Sequence, residues 1–133
     1  MYSDNKNVEQ VYIGECEILI GNESIQELLL YLLSNNFNSK NTIIVVDENT
    51  IKYCLPSILE NLYILREAKI IELKSGEENK NFNTYISVIS ELLTYNANKN
   101  SLIINLGGGV ICDIGGFIAS TYKRGIKFIN IPT

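Results

Sequence analysis

Three consecutive glycines, Gly107-Gly108-Gly109, follow the apolar run Ser101-Leu102-Ile103-Ile104-Asn105-Leu106 and precede a helical pattern beginning near Val110. A strand that enters a glycine turn and then a helix can serve two ends. It can be a plain tight turn, since glycine reaches backbone angles other residues resist. It can also let a ligand touch the main chain, because the helix start presents unpaired N–H groups and partial positive charge suited to a diphosphate. The placement between a buried strand and a helix favours phosphate binding. Around it stand other polar residues. Asp47 closes a β-branched run, where a carboxylate can accept from ribose hydroxyls or cap the next helix. Asp113 falls one turn into the glycine-led helix, facing a ligand or favoured there by the helix dipole. Glu77 and Lys80, three apart in a polar loop, form by default a solvated pair. Arg124 closes Tyr122-Lys123-Arg124-Gly125, where a cation suits a helix C-terminus and a guanidinium fork can also hold a phosphate.

The elements that must position these residues alternate. Cys16–Ile20 reads as a strand ended by Gly21, and Ser24-Ile25-Gln26-Glu27 fits a capping box ahead of the stripe Ile25, Leu28, Leu29, Leu32 and Leu33. Thr42–Asp47 is apolar on both faces, as in a covered parallel strand. Thr50 is placed to cap a helix with the stripe Ile51, Leu55, Ile58, Leu59 and Leu62, which Pro56 should kink or restart. Lys69–Leu73 is a third strand, and Lys74–Lys80 a polar loop. Phe82, Ile86, Ile89, Leu92 and Leu93 mark a helix, Val110–Tyr122 another, and Ile126–Ile131 a last strand stopped by Pro132. Gly115 and Gly116, inside a helix, point to close packing. Repeated strand-then-helix order predicts an α/β fold with an open, mostly parallel sheet and helices on both faces. No internal repeat stands out, and asparagine is frequent throughout, with no functional reading attached to it.

Composition narrows the chemistry. The 133 residues suit one domain, 46% of them are hydrophobic, and the net charge is −4. An acidic chain gains nothing from a nucleic-acid backbone, so no nucleic acid is expected as partner. No apolar run reaches the ~18 residues of a membrane span, and the polar start Met1–Lys6 lacks a signal core, so a cytoplasmic protein is expected. Cys16, Cys54 and Cys112 are scattered and read as free thiols. There is no histidine, which removes imidazole as ligand, base or switch.

Leu106–Asp113, with Gly116-Phe117, Thr121–Gly125 and Ile131-Pro132-Thr133, resembles the signature stretch of the 3-dehydroquinate synthases. The spacing of Asp47 with Asn49, and of Gly76-Glu77 with Lys80, matches as well. The resemblance covers nearly the whole chain but only the N-terminal half of the family. It implies a Rossmann-like, NAD-binding domain over residues 1–133, part of a longer carbon–oxygen lyase whose metal-binding helical domain lies outside them. Members close 3-deoxy-D-arabino-heptulosonate 7-phosphate to 3-dehydroquinate with loss of phosphate, in the shikimate pathway of aromatic amino acid biosynthesis. They use NAD and a divalent metal, zinc or cobalt. By resemblance, Asp47, Asn49, Glu77 and Lys80 contact the adenosine side of NAD, and Gly108, Gly109 and Val110 cradle its diphosphate. Asp113 and Thr133 lie near the nicotinamide, and Arg124 reaches the sugar phosphate of the neighbouring subunit in a homodimer. No metal ligand and no catalytic residue is expected in this chain, which alone should be inactive. Family members often carry glycine at the position of Cys112. Rival readings are another sugar phosphate cyclase, a polyol or iron-type alcohol dehydrogenase, and a non-catalytic nucleotide-binding module. Val110 and Tyr122–Gly125 speak against the dehydrogenases.

Overall fold

A computed structural model describes residues 8–133; the polar start Met1–Lys6 lies outside them. The chain divides into two compact units, one ending at Asn36 and one spanning Phe37–Thr133. In the first, β1 (Glu9–Ile13) pairs antiparallel with β2 (Cys16–Ile20). Gly14, at φ 61°, sits in the two-residue turn between them, the positive φ that tight hairpin turns require. β1 was not expected from the sequence; its apolar stretch is only Val11-Tyr12-Ile13, and its residues are mostly exposed. α1 (Ser24–Ser34) follows. The expected capping box is absent. The helix already includes Ser24, the cap position is Glu23, and no side chain caps it. Backbone carbonyls of Gly21 and Glu23 take the first amides instead.

The second unit is a four-stranded, wholly parallel sheet in the order β4-β3-β5-β6. Its strands are β3 (Thr42–Asp47), β4 (Lys69–Leu73), β5 (Leu102–Gly107) and β6 (Lys127–Pro132). Every residue of β3 and β5 is buried, as both-faces-covered parallel strands require. α2 (Thr50–Tyr53) and α3 (Leu55–Asn61) lead from β3 to β4, and α4 (Phe82–Thr94) from β4 to β5. α5 (Gly109–Thr121) leads from β5 to β6. The first crossover moves one way along the sheet and the next two the other way. Right-handed connections therefore put α2 and α3 on one face and α4 and α5 on the other. The core under α4 and α5 joins Ile43, Val45, Ile71 and Ile103 to Val88, Leu92, Ile111 and Ile118.

Local sequence explains the helix ends. Pro56 stands in the first turn of α3, where its missing N–H costs nothing, and α2 stops before it, so the expected restart occurs. α4 opens on Asn81, whose side chain accepts from the Thr84 amide at 3.0 Å. Its buried face differs from the expected stripe. Val88 and Leu92 are buried with Tyr85 and Ile89 packed beside them, while Phe82, Ile86 and Leu93 are exposed. A helix with apolar residues over nearly half its circumference has two possible stripes, and spacing alone does not choose between them.

Candidate functional site

The strand order reverses between β3 and β5: from β3 the chain steps outward to β4, then returns past β3 to β5. In open α/β sheets, ligands bind outside the carboxyl ends of the strands at such a switch point. The register pairs Val45 with Asn105, so two residues further on Asp47 and Gly107 close adjacent strands at this crevice.

The three glycines divide their work. A β-carbon at Gly107 would lie 2.8 Å from the Ile111 side chain, so glycine there lets strand and helix pack closely. A β-carbon at Gly108 or Gly109 would meet nothing within 4 Å. These two line open space, a cradle that side chains would fill. Gly108 is the extended cap of α5, and its carbonyl accepts the Cys112 amide at 3.0 Å. The amides of Gly109, Val110 and Ile111 precede that bond and have no partner within the helix. Three N–H groups at a helix start beside open space suit an anion.

Asp47 is buried, and its Oδ1 accepts from the amides of Asn49 (2.9 Å) and Thr50 (2.8 Å). The Thr50 hydroxyl accepts from the Asp47 amide at 2.9 Å. The cap of α2 is thus built by Asp47; Thr50, expected as the cap, reciprocates from inside the helix. The cap uses one carboxylate oxygen, and no hydrogen bond among the described residues engages Oδ2. Asn49 is held at the rim by the same carboxylate.

The loop after β4 completes the crevice. Gly76 takes φ 107°, and Glu77–Asn79 form a single 3-10 turn. Lys80, expected as a solvated partner of Glu77, is 3.9 Å from it but donates to Asp113 at 2.6 Å. That hydrogen bond raises the Lys80 pKa and ties the loop to α5. At the loop's start, Glu48 accepts from the Ser75 amide at 2.8 Å and the Ser75 hydroxyl at 2.6 Å. The Ser75 hydroxyl, then the amides of Glu48 and Ser75, lower the Glu48 pKa. Neither Glu48 nor Ser75 was singled out from the sequence; the one available signal was adjacency to Asp47. A groove of about 600 Å³, lined by Glu48, Leu73, Lys74, Ser75 and Asn79, opens alongside.

Thr133 lies at the same end of the sheet, its amide donating to the Gly107 carbonyl at 3.2 Å. Cys112 directs its thiol at the Gly107 carbonyl at 3.6 Å. Burial, then the charge of Asp113, raises its pKa.

Arg124 is not brought to this crevice. α5 runs back along the sheet for 13 residues, about 20 Å at 1.5 Å per residue, before the turn that carries it. Lys123 and Arg124 both hold positive φ, at 49° and 66°, and Gly125 follows at 106°. Two non-glycine residues in the left-handed region are strained and persist only where surroundings fix them. Here the buried Tyr122 anchors the turn through its hydroxyl, which donates to the Ala97 carbonyl at 2.8 Å. Among the described residues, no group of three His, Cys, Asp or Glu side chains is arranged to hold a metal ion, and no helix is long and apolar enough to cross a membrane.

Known proteins resemble this chain in sequence and in fold. The family described as 3-dehydroquinate synthase N-terminal matches residues 70–133. The 3-dehydroquinate synthase of Parabacteroides distasonis is 36% identical over 91% of this chain and 33% of its own length. That of Clostridium botulinum is 43% identical over 82% of the chain and 33% of its own length. The chain thus spans about a third of the curated relatives it matches. In fold it is similar to a crystal structure of 2-deoxy-scyllo-inosose synthase, with TM-score 0.79 and 22% identity over 95% of this chain and 36% of that one. The 2-epi-5-epi-valiolone synthase of Streptomyces hygroscopicus, solved with NAD+ and Zn2+ bound, is similar with TM-score 0.62 and 23% identity over 69% of this chain and 27% of that one. By its signature residues, its switch-point crevice and relatives that match it along most of its length, the chain belongs to the 3-dehydroquinate synthase family, within that family's N-terminal region.

Proposed function

We propose that this chain is the NAD-binding portion of a 3-dehydroquinate synthase, a cytoplasmic carbon–oxygen lyase of the shikimate pathway. The substrate is 3-deoxy-D-arabino-heptulosonate 7-phosphate, closed to 3-dehydroquinate with loss of phosphate. The observation that carries the reading is the pair of open glycines at the switch point. Gly108 and Gly109 leave a cradle unobstructed by any protein atom within 4 Å of an added β-carbon, directly before free amides of α5. A diphosphate fits that donor set. Asp47, with one oxygen outside the cap, takes a ribose hydroxyl, and Asn49, Glu77 and Lys80 border the adenosine. Val110 contributes an amide to the diphosphate, and Asp113 and Thr133 flank the nicotinamide end. NAD supplies a reversible hydride acceptor; the residues here bind and orient it.

Among the described residues, no set of side chains is arranged to fit a divalent metal. The zinc or cobalt of this reading is held by residues outside 1–133. The solved 2-deoxy-scyllo-inosose synthase complex carries NAD+ and Co2+ with a carbocyclic sugar phosphate. Arg124, a helix length from the cradle, serves the sugar phosphate of a neighbouring subunit in a homodimer.

The test is calorimetric titration of NAD into the chain and into Gly109→Val. The wild type should bind and the variant should not, with both folded by circular dichroism. A β-branched side chain there projects into open space rather than into protein, so equal affinity in a folded variant would sink the reading.

A further inference from the structure

We infer that Glu48 is a positioning residue for the nucleotide crevice, clamping the loop after β4 so that Glu77 and Lys80 are presented to a ligand. This rests on the NAD reading above and extends it to a residue outside the family's signature.

The loop ties the ends of β4 and β3 to α5. At its start, the Glu48 carboxylate receives both the amide and the hydroxyl of Ser75, at 2.8 and 2.6 Å. Glu48 follows Asp47 directly, so this clamp fastens the loop to the end of β3. At the far end, Lys80 donates to Asp113 of α5 at 2.6 Å. Between the anchors the loop holds its own shape. The Asn79 side chain donates to the Ser75 carbonyl at 2.8 Å, and the Asn79 and Lys80 amides reach the Gly76 and Glu77 carbonyls at 3.0 Å each. Gly76 permits this at φ 107°, where other residues are strained. The turn is therefore preformed as a unit, and what remains adjustable is its attachment. Released at Ser75, it would pivot on the Lys80–Asp113 contact, which is itself exposed and competes with water. A two-point carboxylate clamp fixes direction as well as distance. Preorganising a loop in its binding geometry raises affinity by removing the ordering cost from the binding step.

The test uses the chain with Glu48→Ala, Glu48→Gln, Ser75→Ala and the Glu48→Ala/Ser75→Ala double variant. Amide hydrogen exchange at Ser75, Asn79 and Lys80 reports the clamp without ligand, and NAD titration reports positioning. Glu48→Ala should speed Ser75 exchange about tenfold and raise the NAD Kd about fivefold, the order expected for losing charge-assisted hydrogen bonds at an exposed site. Its thermal midpoint should not move. Glu48→Gln, retaining one acceptor oxygen, should lie between wild type and alanine. The double variant should bind no more weakly than Glu48→Ala, because the two changes remove one interaction. Unchanged Ser75 exchange in Glu48→Ala, or an NAD Kd equal to wild type, overturns the positioning role alone. A wild-type chain that takes no NAD overturns the nucleotide reading and this role together.

Discussion

The side-chain oxygen of Asn105 occupies the volume that a β-carbon on residue 115 would need: an added β-carbon at Gly115 would stand 1.8 Å from Oδ1. Asn105 is fully buried in β5 beneath α5. Its amide nitrogen donates to the Asn130 side chain on β6 at 3.0 Å, while Oδ1 has no hydrogen-bond partner among the described residues. A glycine within a helix costs about 1 kcal/mol against alanine. Here it makes room for a polar side chain in the layer below.

Gly115→Ala should therefore destabilise the chain despite alanine's better helix propensity, by about 1–3 kcal/mol, the usual cost of overpacking. Asn105→Ala removes the obstruction, so the Asn105→Ala/Gly115→Ala pair should recover most of that loss. Urea unfolding of the three variants measures it. A Gly115→Ala chain as stable as wild type would show that Asn105 can move aside freely.

The cap that Asp47 builds and the ribose contact proposed for it can be separated. Asparagine caps helices as well as aspartate does, so Asp47→Asn should keep the bond to the Asn49 and Thr50 amides and leave the thermal midpoint near wild type. It should still weaken NAD, because a ribose hydroxyl loses a charged acceptor. Asp47→Ala should lose about 1 kcal/mol of stability with the cap and about 1–3 kcal/mol of NAD affinity. Calorimetry of binding and of unfolding reads both quantities. If Asp47→Asn binds NAD as wild type does, the carboxylate is a cap and nothing more.

Much of this was legible in the sequence, and the gaps have physical causes. The two central strands, β3 and β5, announced themselves as buried apolar runs, β4 and β6 as shorter apolar stretches between polar residues, and the glycine turn because it stands between a strand and a helix. The asparagines did not. Asn36 and Asn96 take φ 59° and 56°, ending α1 and α4. Two residues later the Asn38 and Asn98 side chains accept from the Lys40 and Asn100 amides, each at 2.8 Å, just ahead of β3 and β5. One helix-to-strand connector is used twice, without the apolar pattern by which repeats are usually noticed; the residues it shares are asparagines chosen for left-handed backbone and side-chain turns. The Glu48–Ser75 clamp was equally hidden, since two polar residues 27 apart carry no periodic signal. Asp47, by contrast, was read as either cap or ribose acceptor; the fold shows the cap, made through Oδ1 alone.

Cys112 offers a chemical probe of the cradle. Its thiol is raised in pKa by burial and by the neighbouring Asp113, and the thiolate is the reactive form. Alkylation by iodoacetamide at pH 8 should be slow at Cys112 beside the exposed Cys16, and should rise only at more alkaline pH. NAD should slow it further, because the thiol lies against the Gly107 carbonyl. Mass spectrometry of the two peptides across pH, with and without NAD, gives the rates. Equal rates at Cys112 and Cys16 at pH 8 would contradict the burial assigned to the site.

This chain, by itself, should release no phosphate from 3-deoxy-D-arabino-heptulosonate 7-phosphate, even with NAD and zinc supplied. The proposed chemistry asks a metal to polarise the reacting carbinol and stabilise developing negative charge. A catalytic zinc takes about three protein ligands and keeps an open position. The sequence has no histidine, and the described carboxylates and thiols nowhere gather in threes. Lys80 is already joined to Asp113, and Arg124 sits a helix length from the cradle, so neither cation is placed there to hold a sugar phosphate beside bound NAD. Positioning NAD without positioning the substrate leaves the hydride without a near-attack geometry. A phosphate-release assay with the purified chain, run against chelator and no-protein controls, should stay at background. Chelator-sensitive release above background would mean that residues 1–133 assemble a metal site and a substrate site of their own, and would overturn the division of labour proposed for this chain.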